Sequence, residues 1–406
     1  MARIRNNSWQ DDLQLKKALQ NYINSRLKHK EILDFMQRDF SQYAWSSRTL
    51  ERRLNHFEIR CTNRNISVDQ VRNAVQEELQ GPGKLLGYRA MHQKIRQVHE
   101  LAVPRDLVYD VMFELDPKGL ECRAPGFKTK KKKGNFTSPG PNFVHSLDGH
   151  DKLMGFQNST FPIAVYGCLD TCSRKVLWVK VWMSNSDPKL IGRFYLEYLY
   201  NQHTIASMLR VDKGTETGTM ATMHAYLRQQ HGDMEAGETV LFGPSTSNQI
   251  ERWWKELHER LEKYYKAPLL WLKDQGHYDP QNETHRCLLA YIMVPLIQKE
   301  IDSFVHLWNS HRIRKQRDTV LPDGIPNHIY DFPTNYGLRE CGWKINDNQI
   351  REVAELSGVL EVHDDYLDSG FRAQCEKLLP EPSNLKPSDC ETAFLFLCEH
   401  MQLQTV

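Results

Sequence analysis

Residues 143–242 change repeatedly between two apolar patterns, and this alternation limits the possible folds more than any other feature of the chain. "NFVHSLDGHDKL" predicts a short strand ending at Asp148, and "PIAVYGCLDTCSRKVLWVKVWMSN" predicts two strands joined by the turn "DTCSR". Helix, strand, helix and strand follow in "PKLIGRFYLEYLYNQH", "IASMLRVDKGTE", "TMATMHAYLRQQH" and "TVLFG". Strand hairpins followed by alternating helices and strands predict a mixed α/β sheet flanked by helices.

Two groups of three predicted helices precede the sheet. In the first group, "SSRTLERRLNHFEI" begins with a serine N-cap and has its apolar residues on one helical face. In the second group, "SVDQVRNAVQEEL" also begins at a serine, and "VPRDLVYDVMFELDP" stops before a proline. Short basic helices of this kind favour helix-turn-helix units, although a small helical bundle fits the same pattern. The first group is predicted to expose three arginines that would bind DNA: Arg48, Arg52 and Arg53.

The charge of the chain is concentrated in its first third. Residues 1–140 hold 26 Lys and Arg against 16 Asp and Glu, whereas residues 141–406 hold 27 against 35. Such a separation on a nearly neutral chain indicates that the first third binds a polyanion. Four consecutive lysines in the Gly- and Pro-containing segment 121–140 could contact phosphates or direct nuclear import, and a solvated tether fits equally well: Lys130, Lys131, Lys132 and Lys133.

Several classes of protein are disfavoured by composition. The longest apolar run, "CLLAYIMVPLI", is too short to span a bilayer, and the charged start "MARIRNNSWQDD" does not resemble a signal peptide. Nine cysteines occur without a CxxC pair, which favours reduced thiols inside a cell. Cys168 and Cys172 are close enough in sequence for a metal pair, but a turn between strands explains their spacing as well. We expect a protein that is neither secreted nor embedded in a membrane.

Three carboxylates form the strongest candidate for a catalytic site. Asp148 and Asp212 are each predicted just past the end of a strand, where open α/β sheets place their chemistry. Glu251 opens the helix that follows "GPSTSNQ". Three carboxylates can hold two Mg²⁺ or Mn²⁺ ions, which activate a water or hydroxyl and stabilise the leaving oxygen of a phosphodiester. A purely structural role fits each acid alone, because strand-end aspartates often close turns and Asp170 in "DTCSR" is assigned to its hairpin.

The helix that begins near Glu251 leaves two interpretations of this residue open. The spacing of Asn248 and Glu251 is that of a capping box, with Asn248 at the N-cap and Glu251 three residues later. The apolar stripe that starts at Ile250 instead puts Glu251 at its border, beside Lys255 and His258. A border position faces a cleft, so Lys255 and His258 are predicted to contact DNA next to the site. A further helix is predicted over 283–317, ending in the basic stretch "WNSHRIRKQR".

Taken together, several sequence segments resemble the integrase-core proteins of the retroviral-integrase superfamily, in particular those of transposon origin. The resemblance covers roughly residues 30–335 and rests on "VHSLDGHDKL", "CLDTCSRKVLWVKV", "RVDKGTET", "GPSTSNQIERWW" and "LWNSHRIRKQRDTVLPDGIPNHIY". It implies a polynucleotidyl transferase with an RNase H-like fold and a DDE triad. By this resemblance Asp148, Asp212 and Glu251 are the catalytic residues and the ligands of two Mg²⁺ or Mn²⁺ ions, and Ser245 and Asn248 belong to the adjacent loop. It also implies DNA as substrate, a homo-oligomer and a nuclear location.

The sequence departs from its relatives at two places near this site. Relatives usually have one more residue between the loop asparagine and the glutamate, whereas Gln249 is followed here directly by Ile250, and Thr217 stands where relatives commonly have Asn. Three functions therefore stay open: a DNA integrase or transposase-like enzyme, a domesticated and catalytically inactive DNA-binding protein, or a stand-alone RNase H-like nuclease.

The predicted organisation has five segments, given by number. They are a helix-turn-helix-like segment 1–62, a second helical segment 63–120, a basic linker 121–140, an RNase H-like catalytic core 141–320 and an acidic extension 321–406. The extension contains helical stretches such as "NDNQIREVAELSGVL", and no chemical motif was identified in it.

Overall fold

The computed structural model of the chain describes residues 8–63, 65–123, 137–155, 159–232, 235–243, 249–315 and 320–403. It divides into two compact units, Met1–Lys130 and Lys131–Val406. The finer division into five segments stays a prediction. Six of the residues singled out in the sequence lie outside the described residues: Lys130, Lys131, Lys132, Lys133, Ser245 and Asn248.

The described part of the N-terminal unit is helical, as its apolar patterns predict. The hydroxyl groups of Ser46 and Ser67 cap two of the helices by accepting hydrogen bonds from backbone N–H groups in the first turn. The helix-turn-helix interpretation stays a prediction. The helices are α1 (Leu13–Asn24), α2 (His29–Asp39), α3 (Ser47–His56), α4 (Val68–Leu79), α5 (Tyr88–Gln97), α6 (Arg105–Leu115) and α7 (Pro117–Cys122).

A buried arginine of α5 connects the two groups of helices. The Nε of Arg96 donates to the carbonyl oxygen of Asn24 at 3.2 Å, and its Nη2 donates to those of Ile23 at 3.1 Å and Cys61 at 2.8 Å. Ile23 and Asn24 are the last residues of α1, whose carbonyl groups have no partners within the helix. The positive charge therefore satisfies the negative end of α1 and holds the second group against the first.

The prediction that Arg53 is exposed on α3 is wrong. Its side chain is buried, and its guanidinium lies over the rings of Trp9, Tyr43 and Trp45, only 4.0 Å from the centroid of Trp45. Cation–π attraction compensates part of the lost hydration of the charge. The three rings come from outside α3, so the helical periodicity of α3 could not reveal them. The other two arginines of this helix are exposed, as predicted.

The C-terminal unit is built on the mixed sheet that the sequence predicts. The strands are β1 (Val144–His150), β2 (Ala164–Asp170), β3 (Val176–Trp182), β4 (Thr204–Ile205), β5 (Met208–Val211), β6 (Val240–Phe242) and β7 (Trp343–Lys344). Five of them form the sheet, in the order β3-β2-β1-β5-β6. β1 pairs antiparallel with β2 and parallel with β5, β2 pairs antiparallel with β3, and β5 pairs parallel with β6. A separate pair of short strands, β4 and β7, is antiparallel.

The central strand β1 is longer than its apolar run predicts. Asp148 lies inside the strand opposite Gly167 of β2, and the pairing continues to His150 opposite Val165. The prediction that Asp148 follows the end of a strand is therefore wrong. The cause is the antiparallel partner: β2 supplies backbone hydrogen bonds beyond the apolar residues of β1, and this pairing is not local in sequence.

Helices cover both sides of the sheet. The helices are α8 (Pro188–Gln202), α9 (Gly218–Gln230), α10 (Glu251–Leu257), α11 (Lys263–Asp274), α12 (Glu283–Ser310), α13 (Pro326–Asp331), α14 (Asp347–Ser357), α15 (Ser369–Leu378) and α16 (Cys390–Leu403). One side of the sheet carries an apolar core, in which Leu147, Tyr166, Leu209 and Val211 pack with residues of α8, α9 and α14. In the described part of the chain, none of the helices is long and apolar enough to span a membrane.

Two amide side chains of α12 cover the open edge of the sheet at β3. The Asn309 amide donates to the carbonyl oxygen of Val176 at 2.8 Å and accepts from its N–H at 2.9 Å. Gln298 accepts from the N–H of Val181 at 2.8 Å and donates to the carbonyl oxygen of Val179 at 3.2 Å. Residues 298 and 309 are eleven positions apart in the helix, and residues 176 and 181 are five positions apart in the strand. Both separations are about 16 Å, so the two amides lie opposite the two ends of β3. The edge is thereby closed to further strands.

The prediction that this helix continues to residue 317 is wrong. α12 ends at Ser310, and Ile313 then exchanges two backbone hydrogen bonds, of 2.8 and 3.0 Å, with Gly324. An extended bridge takes the place of the helix, because a backbone partner from a later part of the chain is available. Residues 316 and 317 lie outside the described ranges.

The acidic segment after residue 340 belongs to the core of this unit. Ile350, Val353 and Ala354 of α14 are buried against α8 and α9, and α16 packs on α11 and α12. The backbone of β7 pairs with β4 through Thr204 and Lys344. The charged residues of α14, such as Glu352 and Glu355, lie on its exposed face, so the net charge of the segment did not reveal this packing.

This packing predicts a clear difference between two substitutions on α14. Ile350 is 4% exposed and Leu356 is 68% exposed. We expect Ile350→Ala to lower the free energy of unfolding by about 2–5 kcal/mol, because a buried side chain is lost and a cavity is left. Leu356→Ala should change it by no more than about 0.5 kcal/mol. Urea denaturation of the full chain measures both, and equal effects would contradict the packing of the tail.

Candidate active site

Asp148 is a buried carboxyl group at the centre of the sheet. It is 5% exposed, and its Oδ2 accepts a hydrogen bond of 3.2 Å from the indole Nε1 of Trp254 on α10. Gly167 on the neighbouring strand makes room for this indole, because a Cβ atom there would lie 2.9 Å from the Trp254 ring. Helical spacing places Trp254 in the apolar stripe of α10 and gives no sign of this polar contact.

The other two predicted acids lie on the elements next to β1. Asp212 follows β5 directly, as predicted, and its Oδ1 accepts from the backbone N–H of Gly214 at 3.1 Å. Glu251 is the first residue of α10 and is half-buried at the border of the apolar stripe, as predicted. Ile250 occupies the N-cap position, so Glu251 is not three residues into the helix as a capping box requires. Asn248 lies outside the described residues.

The three carboxyl groups interact electrostatically. Burial, together with the negative charges of Glu251 and Asp212, raises the pKa of Asp148 to about 8 against the opposing effect of the Trp254 hydrogen bond. The structure therefore brings the three predicted acids into one electrostatic neighbourhood. In the described parts of the chain, however, no three His, Cys, Asp or Glu side chains are arranged to hold a metal ion.

Two further carboxyl groups, which are not among the three predicted ligands, lie beside these acids. Burial raises the pKa of Asp151, whose Oδ1 accepts from the amide of Asn185 at 2.9 Å, and Asp212 adds to the effect. Burial also raises the pKa of Glu216, with contributions from Asp212 and Asp151. Asp151 was within reach of the sequence analysis, because it follows Asp148 by three residues in "DGHD".

Other predicted residues have mixed outcomes. Lys255 is exposed on α10. The Nδ1 of His258 donates to the buried carboxylate of Glu262 at 3.0 Å, so one of its ring nitrogens already has a partner inside the protein. Asp170 has the turn role assigned to it: its carboxylate accepts from the backbone N–H groups of Asn142 and Ser173 at 2.8 Å and from the Ser173 hydroxyl at 2.6 Å.

Cys168 and Cys172 are buried free thiols in the described structure. Burial raises the pKa of the Cys172 thiol to about 12, which disfavours the thiolate form that binds metals. The interpretation of these cysteines as a metal pair therefore gains no support from their surroundings.

Residues 135–329 match the family model of the integrase core domain. This part of the chain is accordingly an integrase core domain of the retroviral and transposon type, with the RNase H-like fold that the mixed sheet and its helices form. The match relates this part of the chain to the integrase- and transposase-like polynucleotidyl transferases. None of the curated proteins matches the chain.

The raised pKa of Asp148 predicts how stability depends on pH without metal. The unfolded chain releases this proton near pH 4, whereas the folded protein holds it up to about pH 8. The stability contributed by this group is therefore full below about pH 4 and is lost as the pH rises through 8. In EDTA, the free energy of unfolding of the wild type should fall relative to that of Asp148→Asn as the pH is raised from about 5 to 8. Urea denaturation across this range measures it, and parallel profiles would contradict the buried, coupled carboxyl.

Proposed function

We propose that this chain is a DDE-type integrase or transposase-like enzyme that cleaves and joins DNA at phosphodiester bonds. The observation that carries the proposal is the position of Asp148, a buried carboxyl whose charge is opposed by two neighbouring carboxylates. A domain that concentrates negative charge in this way gains by binding a cation. Since residues 135–329 are an integrase core domain, the cation is proposed to be catalytic.

The donor chemistry of the site fits two Mg²⁺ or Mn²⁺ ions. Hard divalent cations take carboxylate oxygens, and Asp148, Asp212 and Glu251 would supply them. Bound ions would activate the attacking water or hydroxyl and stabilise the leaving oxygen. The three carboxylates would have to come closer together on ion binding than they are in the described conformation, in which no complete ligand set is formed among the described residues.

The residues around the three acids have distinct proposed roles. The indole N–H of Trp254 orients the buried carboxyl of Asp148, and the N–H of Gly214 does the same for Asp212. Lys255 is exposed one helical turn after Glu251, at a distance along α10 that suits a contact with a DNA phosphate.

The N-terminal unit is proposed to bind DNA through exposed basic residues. Arg48 and Arg52 are exposed on α3 and would contact phosphates, whereas the burial of Arg53 removes it from this role. The four lysines at 130–133 would add to the same electrostatic attraction. A nuclear location and a homo-oligomeric enzyme also belong to the proposal, because they follow from the DNA substrate and from the family.

A second candidate function is a domesticated DNA-binding protein without catalytic activity. It is favoured by one observation: among the described residues, the three acids do not form a set that holds a metal. A nuclease without strand-joining activity is the third candidate. Catalysis in the presence of a divalent cation separates the first and third from the second, and strand joining separates the first from the third.

The catalytic proposal predicts the loss of activity in three single variants. The wild type should nick supercoiled plasmid DNA and join strands in Mg²⁺ or Mn²⁺. Asp148→Asn, Asp212→Asn and Glu251→Gln should each reduce the rate by more than about 100-fold, since loss of a metal ligand should exceed the 10- to 100-fold effect typical of its outer partners. Glu259→Gln is the matched control, because Glu259 is an exposed residue paired with Lys263 further along the same run of helix.

Each outcome of this experiment decides between functions. Cleavage without joining would favour the nuclease. A wild type that binds DNA tightly and is inactive with both metals would establish the domesticated protein. If Glu251→Gln alone kept its activity, Glu251 would not be a ligand and Glu216 would be the next candidate, because it interacts with Asp212.

The DNA-binding proposal predicts different effects for arginines of the same helix. Arg48→Ala combined with Arg52→Ala should weaken binding to a DNA duplex and lower the slope of log affinity against log salt by about 0.9 for each lost phosphate contact. Arg53→Ala should instead lower the unfolding temperature, because the buried guanidinium that packs against three aromatic rings is lost. Fluorescence anisotropy across KCl concentrations measures binding, and an unchanged salt slope in the double variant would contradict this role.

A further inference from the structure

We infer that Glu262, which lies outside the three candidate acids, is a positioning residue that fixes Asp148 relative to the helix of Glu251. This inference rests on the proposed metal site at the three acids. It concerns a residue that touches none of the reacting groups in the proposed reaction and acts through its neighbours.

Glu262 is a fully buried carboxylate held by two histidines. Its side chain has no exposed surface, and its Oε2 accepts from the Nε2 of His150 at 2.9 Å and from the Nδ1 of His258 at 3.0 Å. Burial raises the pKa of Glu262, but the hydrogen bonds from the two histidines outweigh this effect and lower it overall. The group is therefore a charged anchor inside the protein.

The anchor is connected to Asp148 by a short series of contacts. His150 follows Asp148 by two residues in β1, so both side chains are on the same face of the sheet. The imidazole of His150 is stacked on the indole of Trp254, with ring centroids 4.8 Å apart and planes 10° apart. The indole N–H in turn donates to the carboxyl of Asp148 at 3.2 Å. A change at Glu262 would therefore reach Asp148 through two aromatic rings.

The same contacts fix the helix that carries Glu251. Trp254 is three residues after Glu251, so the two are neighbours on successive turns of α10. After α10 the backbone forms a π-helical turn over His258–Glu262 before α11 begins. Single π-turns inside helices widen the backbone locally and are frequent at functional sites. Here the turn contains both Glu262 and one of its two histidine partners.

Stability alone does not account for this residue. The second oxygen of Glu262, Oε1, is buried without a hydrogen-bond partner among the described residues. A buried charge with an unsatisfied oxygen is a poor stabilising element, because the loss of hydration exceeds what its hydrogen bonds return. If Glu262 positions Asp148 and Glu251, the presence of a carboxylate at this buried position is explained.

The inference predicts weaker metal binding in Glu262→Gln. The neutral amide oxygen accepts more weakly from the two histidines than a carboxylate does, and the amide NH2 group would be buried without an acceptor in place of Oε1, so His150 and Trp254 lose their fixed orientation. We expect the affinity for Mn²⁺, measured by electron paramagnetic resonance of the free ion without DNA, to fall by about 10- to 100-fold. Affinity for duplex DNA in EDTA should be unchanged.

A second buried glutamate of the chain provides the matched control. Glu78 in the N-terminal unit is 9% exposed. Its Oε2 lies 2.8 Å from the Nζ of Lys94, and its Oε1 lies 2.9 Å from the Nε2 of His99. Glu78→Gln is therefore the same substitution in a similar environment away from the acids. It should leave the affinity for Mn²⁺ at the wild-type value.

A double-mutant cycle tests whether the effect passes through the indole. Trp254→Phe removes the hydrogen bond to Asp148 while it keeps an aromatic ring over His150. If Glu262 acts through Trp254, the double variant should bind Mn²⁺ little more weakly than the worse of the two single variants. His258→Ala removes one of the two hydrogen bonds to Glu262 and serves in place of Glu262→Gln if that variant does not fold.

Three results would contradict the inference. Wild-type affinity for Mn²⁺ in a folded Glu262→Gln or His258→Ala variant would remove the positional role while leaving the proposed metal site intact. Fold-changes that multiply in the double variant would show that Glu262 and Trp254 act independently. A wild type that binds no Mn²⁺ would overturn the proposed function itself, and this inference with it.

Discussion

The packing of Trp254 over Gly167 is the interaction on which the candidate site depends. The indole fills the space that a larger residue on β2 would occupy, and its N–H donates to the buried carboxyl of Asp148. This contact fixes α10 against the centre of the sheet and brings Glu251 towards β1. The result is a carboxyl with a pKa of about 8 beside two others, an arrangement that is unfavourable without a cation.

The rest of the C-terminal unit keeps this arrangement in place. Side-chain amides of α12 close the edge of the sheet at β3, and the tail that follows the matched domain completes the core on the side of α8 and α9. The acidic segment is therefore structural in this unit, whatever further partners it has. The N-terminal unit has its own core and its own buried ionic groups. One of these is Arg96 of α5, which donates to the carbonyl groups at the end of α1.

The sequence predicted those features that depend on local periodicity. The mixed sheet, most helices, the serine caps of α3 and α4, and the border position of Glu251 follow from apolar spacing and cap residues. The errors share a cause, which is contact with distant parts of the chain. β2 extends β1 beyond Asp148, Gly324 ends the helix at Ser310, and rings outside α3 bury Arg53. The π-helical turn and the Glu262 carboxylate have no local signature of this kind.

The most direct test of the account is a crystal structure of the full chain grown with Mn²⁺ and recorded near the manganese absorption edge. We expect anomalous density between the carboxylates of Asp148, Asp212 and Glu251, with the three groups drawn together around it. Density only at other residues, or none at a Mn²⁺ concentration that supports DNA cleavage, would contradict the proposal that these three acids hold the catalytic metals.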